Sequence, residues 1–392
     1  MNASSYRASA MQPSLIREVA ETGMGMSDIV PLWFGEGRWP TSKIAVAAAQ
    51  QALENGDHFY QPNSGKPELR ASLQHYMNRL YDLKLDISAI TVTGSGMQAM
   101  MLSAQALTDP GDRVIVVGPS WPNLAESFKI AGADIQFVPL TPKQGRWHLD
   151  MDRLLATIQP DTKAVLVNSP NNPTGWVMPA EDQKNLLLHC RKQGTWIVSD
   201  DVYSRLYQHG NAAPHMMSCA EPQDRLISVN SFSKAWSMTG WRLGWLAGPA
   251  ELAPIFAQLT EYNMSCTAGF VQQAGKAMIE GGEDEVRHLQ DKLAKSYHLI
   301  KSRLQNIEDV DFIDPDGAFY SFFSLAGMTN SVGFCKALLK STGVGLAPGL
   351  AFGREAEGYV RLCYAQDTKI LNEAFDRFEA GYQQAIKDSH QA

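Results

Sequence analysis

The chain of 392 residues carries 34 Lys and Arg against 41 Asp and Glu, a formal net charge of −7, with 44% apolar and 19% charged residues. That length accommodates two domains around a sizeable core, and the composition excludes disordered, collagen-like and fibrous chains. An acidic balance without a basic cluster offers no footprint for a phosphate backbone, so nucleic acid is not an expected partner. Five cysteines, Cys190, Cys219, Cys266, Cys335 and Cys363, are far apart and never form a C-x-x-C pair, which predicts a reducing, cytoplasmic setting. No apolar run approaches the roughly 20 residues that span a bilayer, and the opening residues lack the basic-then-apolar order of a secretory signal. No membrane partner is expected.

From about Ala89 to Ala247, apolar runs alternate with helix-like stretches: Ile90–Thr93, Val114–Val117, Ile135–Val138, Ala164–Asn168, Trp196–Ser199, Leu226–Asn230 and Leu243–Ala247. Runs this apolar predict strands buried on both faces, hence an α/β fold with a mostly parallel central sheet and ligands beyond its carboxyl ends. After Glu251 the pattern turns helical, and Leu289, Leu293, Tyr297, Ile300 and Leu304 mark one face of a helix over 284–305. The tail predicts strands at Phe312–Ile313, Tyr320–Phe323 and Val360–Tyr364 and a final amphipathic helix, a smaller α+β domain. The division expected is an N-terminal arm and small-domain segment over 1–44, a large cofactor-binding domain over 45–285, and the small domain over 286–392.

Four signals follow strand ends. Thr93-Gly94-Ser95-Gly96-Met97-Gln98-Ala99 is a glycine turn opening a helix, where free N–H groups suit a phosphate. Read as a dinucleotide fingerprint it lacks the acid at the end of the next strand, which runs into Gly118-Pro119. The run Asn168 to Gly175, taken alone, is good turn chemistry, and Asp200-Asp201-Val202-Tyr203, taken alone, could cap a helix. Ser231-Phe232-Ser233-Lys234, with Arg242 beyond it, puts a lysine at a strand's carboxyl end, where desolvation lowers its pKa and equips it to form a Schiff base. A lone lysine is more often solvated; several polar groups at neighbouring strand ends argue otherwise.

Together these motifs resemble those of the class I/II pyridoxal-phosphate-dependent aminotransferases, the fold type I family that includes the aspartate aminotransferases. The resemblance runs from about Pro31 to Ala365 through Gly35-Glu36; Tyr60, Gly65 and Leu69-Arg70; Ser95 to Ala99; Pro119-Ser120-Trp121; Asn171 to Gly175; Asp200, Tyr203, Ser231, Lys234 and Arg242; and Arg361. It implies pyridoxal 5'-phosphate as cofactor, amino transfer between an L-α-amino acid and a 2-oxo acid, and a homodimer. Lys234 would carry the cofactor as an imine and move the Cα proton; Asp200 would hold the proton on the pyridine nitrogen; Tyr203 and Asn172 would bond the phenolic oxygen. Trp121, by itself a core aromatic, would stack on the ring. Ser95, Gly96, Met97, Ser231 and Arg242 would hold the phosphate, with Tyr60 reaching it from the neighbouring subunit. Arg361 would clamp the substrate carboxylate, aided by Asn172 and Gly35.

The sequence departs from the family where substrates differ. Gly37, Arg38 and Trp39 replace the common Pro-Asp-Phe after Gly-Glu, Met97 stands where some acid-specific members have lysine, and Leu124 stands where some have a histidine supporting the aspartate. Arg38, Trp33 and Trp39 are therefore candidates for the substrate side-chain pocket, with packing of this entry loop's aromatics at the dimer interface as the alternative, and strict aspartate specificity is not expected. A β-eliminating C–S lyase on the same scaffold is the alternative reaction, since fold and cofactor do not separate the two. A regulator built on this fold would need a basic helix-turn-helix, of which there is no trace.

Overall fold

The computed structural model describes residues 5–9 and 11–390. Eight strands form one sheet: β1 (Ile90–Thr93), β2 (Arg113–Gly118), β3 (Asp134–Lys143), β4 (Arg146–Leu149), β5 (Thr162–Asn168), β6 (Trp196–Asp200), β7 (Leu226–Ser231) and β8 (Gly244–Ala247), in the spatial order β1-β8-β7-β6-β5-β2-β3-β4. The run β7-β6-β5-β2-β3 is parallel, while β8 and β4 pair antiparallel with their neighbours. This is the α/β fold expected from the apolar runs.

The alternation along the central strands explains why they read as continuously apolar. Ile115 and Val117 of β2 and Val165 and Val167 of β5 face one hydrophobic cluster, whereas Val114, Val116, Ala164 and Leu166 face another. Each face thus has its own helical cover, and no side is left for polar residues. One strand differs from expectation. The second half of β3 runs on past Val138 into a hairpin with β4, whose residues alternate between exposed and buried while Thr141, Pro142 and Lys143 of β3 are all exposed. At this edge of the sheet one face meets solvent, so periodicity and not bulk hydropathy marks the strand.

The C-terminal part holds a four-stranded antiparallel sheet of β9 (Val310–Asp311), β10 (Tyr320–Leu325), β11 (Ala347–Pro348) and β12 (Tyr359–Cys363), in the order β9-β10-β12-β11. The first of these precedes the expected Phe312–Ile313. The long helix spans Glu283–Gln305 and buries Leu289, Leu293, Ile300 and Leu304, with acids in its first turn and Arg303 in its last, matching the helix dipole. Val30–Pro31 pairs in parallel with Val344–Gly345, tying the N-terminal segment to this sheet's neighbourhood. Trp33 belongs to that core, not to a substrate pocket: it is buried, and its indole packs so tightly on Gly345 that a Cβ there would come within 2.0 Å of it.

Candidate active site

Strand register brings the polar residues together. Asn168 and Asp200 are paired at the carboxyl ends of β5 and β6, Ser231 ends β7, and Arg361 lies on β12 opposite Phe322. A cavity of about 550 Å³ opens over these ends, lined by Gly35, Gly96, Met97, Trp121, Asn172, Asp200, Tyr203, Ser231, Lys234, Arg242 and Arg361. Most of the candidates scattered over the sequence therefore meet in one place.

Ser95, Tyr60, Arg38, Trp33 and Trp39 do not line it. Ser95 is buried next to Gly96, its hydroxyl occupied in capping the helix Gly96–Leu107 by accepting from Gln98 N–H at 3.0 Å. Tyr60 is 89% exposed. Arg38 is exposed as well, with its backbone N–H bonded to the Ala365 carbonyl at 3.3 Å, and Gly37 and Trp39 beside it are half-buried. Trp39 lines a second cavity of about 510 Å³ that also reaches Lys234, with the Lys292 ammonium 5.6 Å over its ring.

Lys234 is half-buried and donates from Nζ to the Gly35 carbonyl at 2.6 Å, lying 5.5 Å from the Tyr203 ring centroid. Burial above all, with the Arg361 charge adding to it, pulls its pKa down to about 8. Asp200 shows the opposite shift: burial, then the neighbouring Asp201 charge, pushes its carboxyl up to about 7. Its one recorded donor is the Val202 N–H at 3.4 Å. A buried carboxyl so poorly supplied with donors is short of a cation. Asp201, by contrast, is satisfied: burial opposes its charge, but His215 at 3.2 Å and the Ser228 and Ser199 hydroxyls hold its pKa below the ordinary value. The imidazole absent at Leu124 is thus present nearby, on the adjacent aspartate.

Arg361 is 2% exposed and fixed in place. Nη1 donates to Asn172 Oδ1 at 2.7 Å, Nη2 donates to the Trp33 carbonyl, and the guanidinium is held between the rings of Tyr320 and Phe352 at 4.5 and 4.9 Å. Its Nε has no partner among the described residues. The Asn172 loop is braced from within: Asn168 Oδ1 accepts from Asn172 N–H at 2.7 Å, Asn171 Oδ1 accepts from the Thr174 hydroxyl at 2.7 Å, and Gly175 takes a positive φ of 71° against Pro315. Glycine is needed there, since a Cβ would stand 2.3 Å from Pro315.

The donor set fits pyridoxal phosphate. Gly96 and Met97 open a helix, so their N–H groups lack intrahelical acceptors, and no other acceptor is recorded for them among the described residues. A Cβ on Gly96 would meet Ser231 and Val202 at 3.2 Å, narrowing this cradle. Arg242 is held at its edge in the left-handed region, φ 53°, an unfavourable backbone state for a side-chain-bearing residue that is found mostly where function requires it. An anion cradle, a carboxyl wanting a cation, and an amine of lowered pKa are the three things this cofactor needs.

The comparisons with known proteins agree. The family model Aminotransferase class I and II matches residues 29–378. The aspartate aminotransferase of Pyrococcus horikoshii is 32% identical over 376 residues, 95% of this chain and 95% of that one. A probable N-acetyl-LL-diaminopimelate aminotransferase of Bacillus subtilis is also 32% identical, over 95% and 94% of the two chains. The structure of Thermus thermophilus aspartate aminotransferase with maleate superposes with a TM-score of 0.90 at 32% identity, covering 97% of this chain and all (100%) of that one. The chain belongs to the class I and II aminotransferases, of fold type I. Its activity is pyridoxal-phosphate-dependent transfer of an amino group between an L-α-amino acid and a 2-oxo acid.

Sequence reasoning missed several lining residues. Ser14, Ile16 and Arg17, at the start of the helix Leu15–Thr22, line the cavity, so Arg17, and not Arg38, joins Arg242 and Arg361 there. The only sequence signal was a serine cap before an amphipathic turn, which says nothing about position in space. Tyr320 was read as a strand residue; its hydroxyl lies 2.6 Å from that of Tyr203.

Proposed function

We propose that amino transfer runs in the cavity between β6, β7 and β12, with Lys234 as the covalent anchor and proton carrier. The observation that carries this is the convergence of Lys234, Asp200 and Arg361 on one cavity from distant parts of the chain. Bound there, pyridoxal phosphate supplies a carbonyl and an electron-accepting ring. Gly96, Met97, Ser231 and Arg242 hold its phosphate, supported by Ser95 through the helix cap. Asp200 keeps a proton on the ring nitrogen, and Tyr203 and Asn172 bond the phenolic oxygen, with Trp121 against the ring face. Lys234 Nζ, released from the Gly35 carbonyl and neutral above about pH 8, takes the proton from the substrate Cα and returns it. Arg361, already fixed by Asn172 and Trp33, orients the α-carboxylate, with Gly35 closing the same end.

The assembly proposed is a homodimer in the cytoplasm, with segments 1–44 and 286–392 forming the smaller domain around 45–285. Tyr60 is 89% exposed, Phe59 75% and Tyr262 85%, large aromatic faces that a second subunit would cover while bringing Tyr60 to the partner's phosphate site. Five unpaired thiols suit a reducing compartment. Because the relatives named above are aminotransferases, transfer is favoured over elimination.

Arg361 binds the group that every α-amino acid shares, so Arg361→Lys lowers kcat/KM for all accepted substrates alike. Losing a bidentate pair in a desolvated site costs about 2–5 kcal/mol, or roughly 30-fold and more. Steady-state kinetics over acidic, aromatic and aliphatic amino acids check this. A penalty confined to acidic substrates would move Arg361 from the α-carboxylate to the side chain.

A further inference from the structure

Tyr320, the first residue of β10, is fully buried and touches three parts of the site at once. Its hydroxyl oxygen is 2.6 Å from that of Tyr203, and its ring lies 4.5 Å beneath the Arg361 guanidinium. That hydroxyl also fills the space beside Gly35, where a Cβ would stand 2.1 Å from it. None of the sequence motifs gave Tyr320 a role.

Two hydroxyls at this distance place one proton between their oxygens and leave the other proton to point elsewhere. If Tyr203 donated to Tyr320, the Tyr320 proton would be a buried donor with no recorded acceptor, because Tyr203 is its one hydrogen-bond partner among the described residues. If Tyr320 donates, its proton is satisfied and Tyr203, which lines the cavity, keeps its own proton for whatever sits there. The positive charge over the Tyr320 ring favours the same direction by making that hydroxyl the better donor. Donation in series also strengthens the second bond.

We propose that Tyr320 is a positioning residue that fixes the direction of the Tyr203 proton, so that Tyr203 donates to the cofactor's phenolic oxygen and thereby lowers the proton affinity of the Lys234 nitrogen. This rests on the assignment of Tyr203 above. A donor on that oxygen draws its electron density away from the neighbouring nitrogen, which then holds its proton less tightly. Burial raises both phenols well above their ordinary value, so neither ionises in the working range. The charged and titratable groups facing the pair are Arg361, Asp200 and Cys363, and Lys234 adds Glu36; burial keeps the Cys363 thiol neutral.

The test is the pH titration of the visible absorbance of the holoenzyme. Tyr320→Phe keeps the ring under Arg361 and removes only the hydroxyl, so the midpoint should rise by about 0.5–1 pH unit, the reach of one net hydrogen bond. Tyr203→Phe should raise it further, and adding Tyr320→Phe to that variant should add nothing. Gly35→Ala, whose methyl would displace the hydroxyl, should shift the midpoint the same way. The KM for the amino acid in Tyr320→Phe should stay within about twofold, since the ring contact with Arg361 survives. A wild-type midpoint in Tyr320→Phe while Tyr203→Phe moves it, or additive shifts in the double variant, would overturn the relay and leave the Tyr203 assignment standing. An unmoved midpoint in Tyr203→Phe would overturn both.

Discussion

Lys234→Ala is expected to lower kcat by on the order of 10⁵-fold, the scale seen when a covalent nucleophile that also moves protons is removed. No other amine can replace it: among the described lysines, it alone lines the cavity over the strand ends. Its local environment explains why this lysine and not a solvated one is suited to the task. Burial pulls its pKa down to about 8, so near neutral pH a useful fraction is uncharged, whereas an ordinary lysine is almost wholly protonated. The check is single-turnover kinetics with saturating amino acid, followed by denaturation. In the variant the cofactor should leave with the solvent, and small primary amines should restore part of the rate. Turnover within tenfold of the unmutated enzyme would remove Lys234 from the chemistry.

Asp200→Asn should reduce kcat/KM by roughly 10³-fold with the fold intact, since a neutral amide of the same shape cannot hold a proton on the ring nitrogen. The carboxyl sits near pH 7 before a cation reaches it, so cofactor affinity should fall as pH drops through 7 and Asp200 becomes protonated. The variant should lack that limb of the curve. Fluorescence titrations with pyridoxal phosphate between pH 5.5 and 8.5 measure both effects. A variant with normal turnover and the wild-type pH profile would show that Asp200 acts only in the local turn, through its bond from Val202.

The central strands were legible because both their faces are covered, so apolar continuity alone marked them. The hairpin beyond Val138 was not, because the end of β3 is exposed and β4, with one face in solvent, shows itself only by alternation over four residues. Among site residues, those at strand ends could be found: Asp200, Ser231 and Lys234 follow apolar runs, and topology sends strand ends to the ligand crevice. Arg361, inside a strand of a different sheet, had no such positional signal and was reached through resemblance. Tyr320 and Arg17 were invisible for the same reason, since nothing local tells that β10 passes beneath the arginine or that the Leu15–Thr22 helix overhangs the cavity. Arg38 is the converse case: a cation in the loop after Gly35-Glu36 was a candidate for the pocket, and its side chain is exposed.

The central claim is that the cofactor is joined to Lys234. The direct measurement is borohydride reduction of the holoenzyme followed by tryptic digestion and mass spectrometry. Reduction should fix one cofactor per chain, and because trypsin does not cut at a modified lysine, the label should run on the peptide 226–242, between the cleavage points at Arg225 and Arg242. Recovery of the label on any other peptide, or an unlabelled digest that cuts normally at Lys234, would contradict the account.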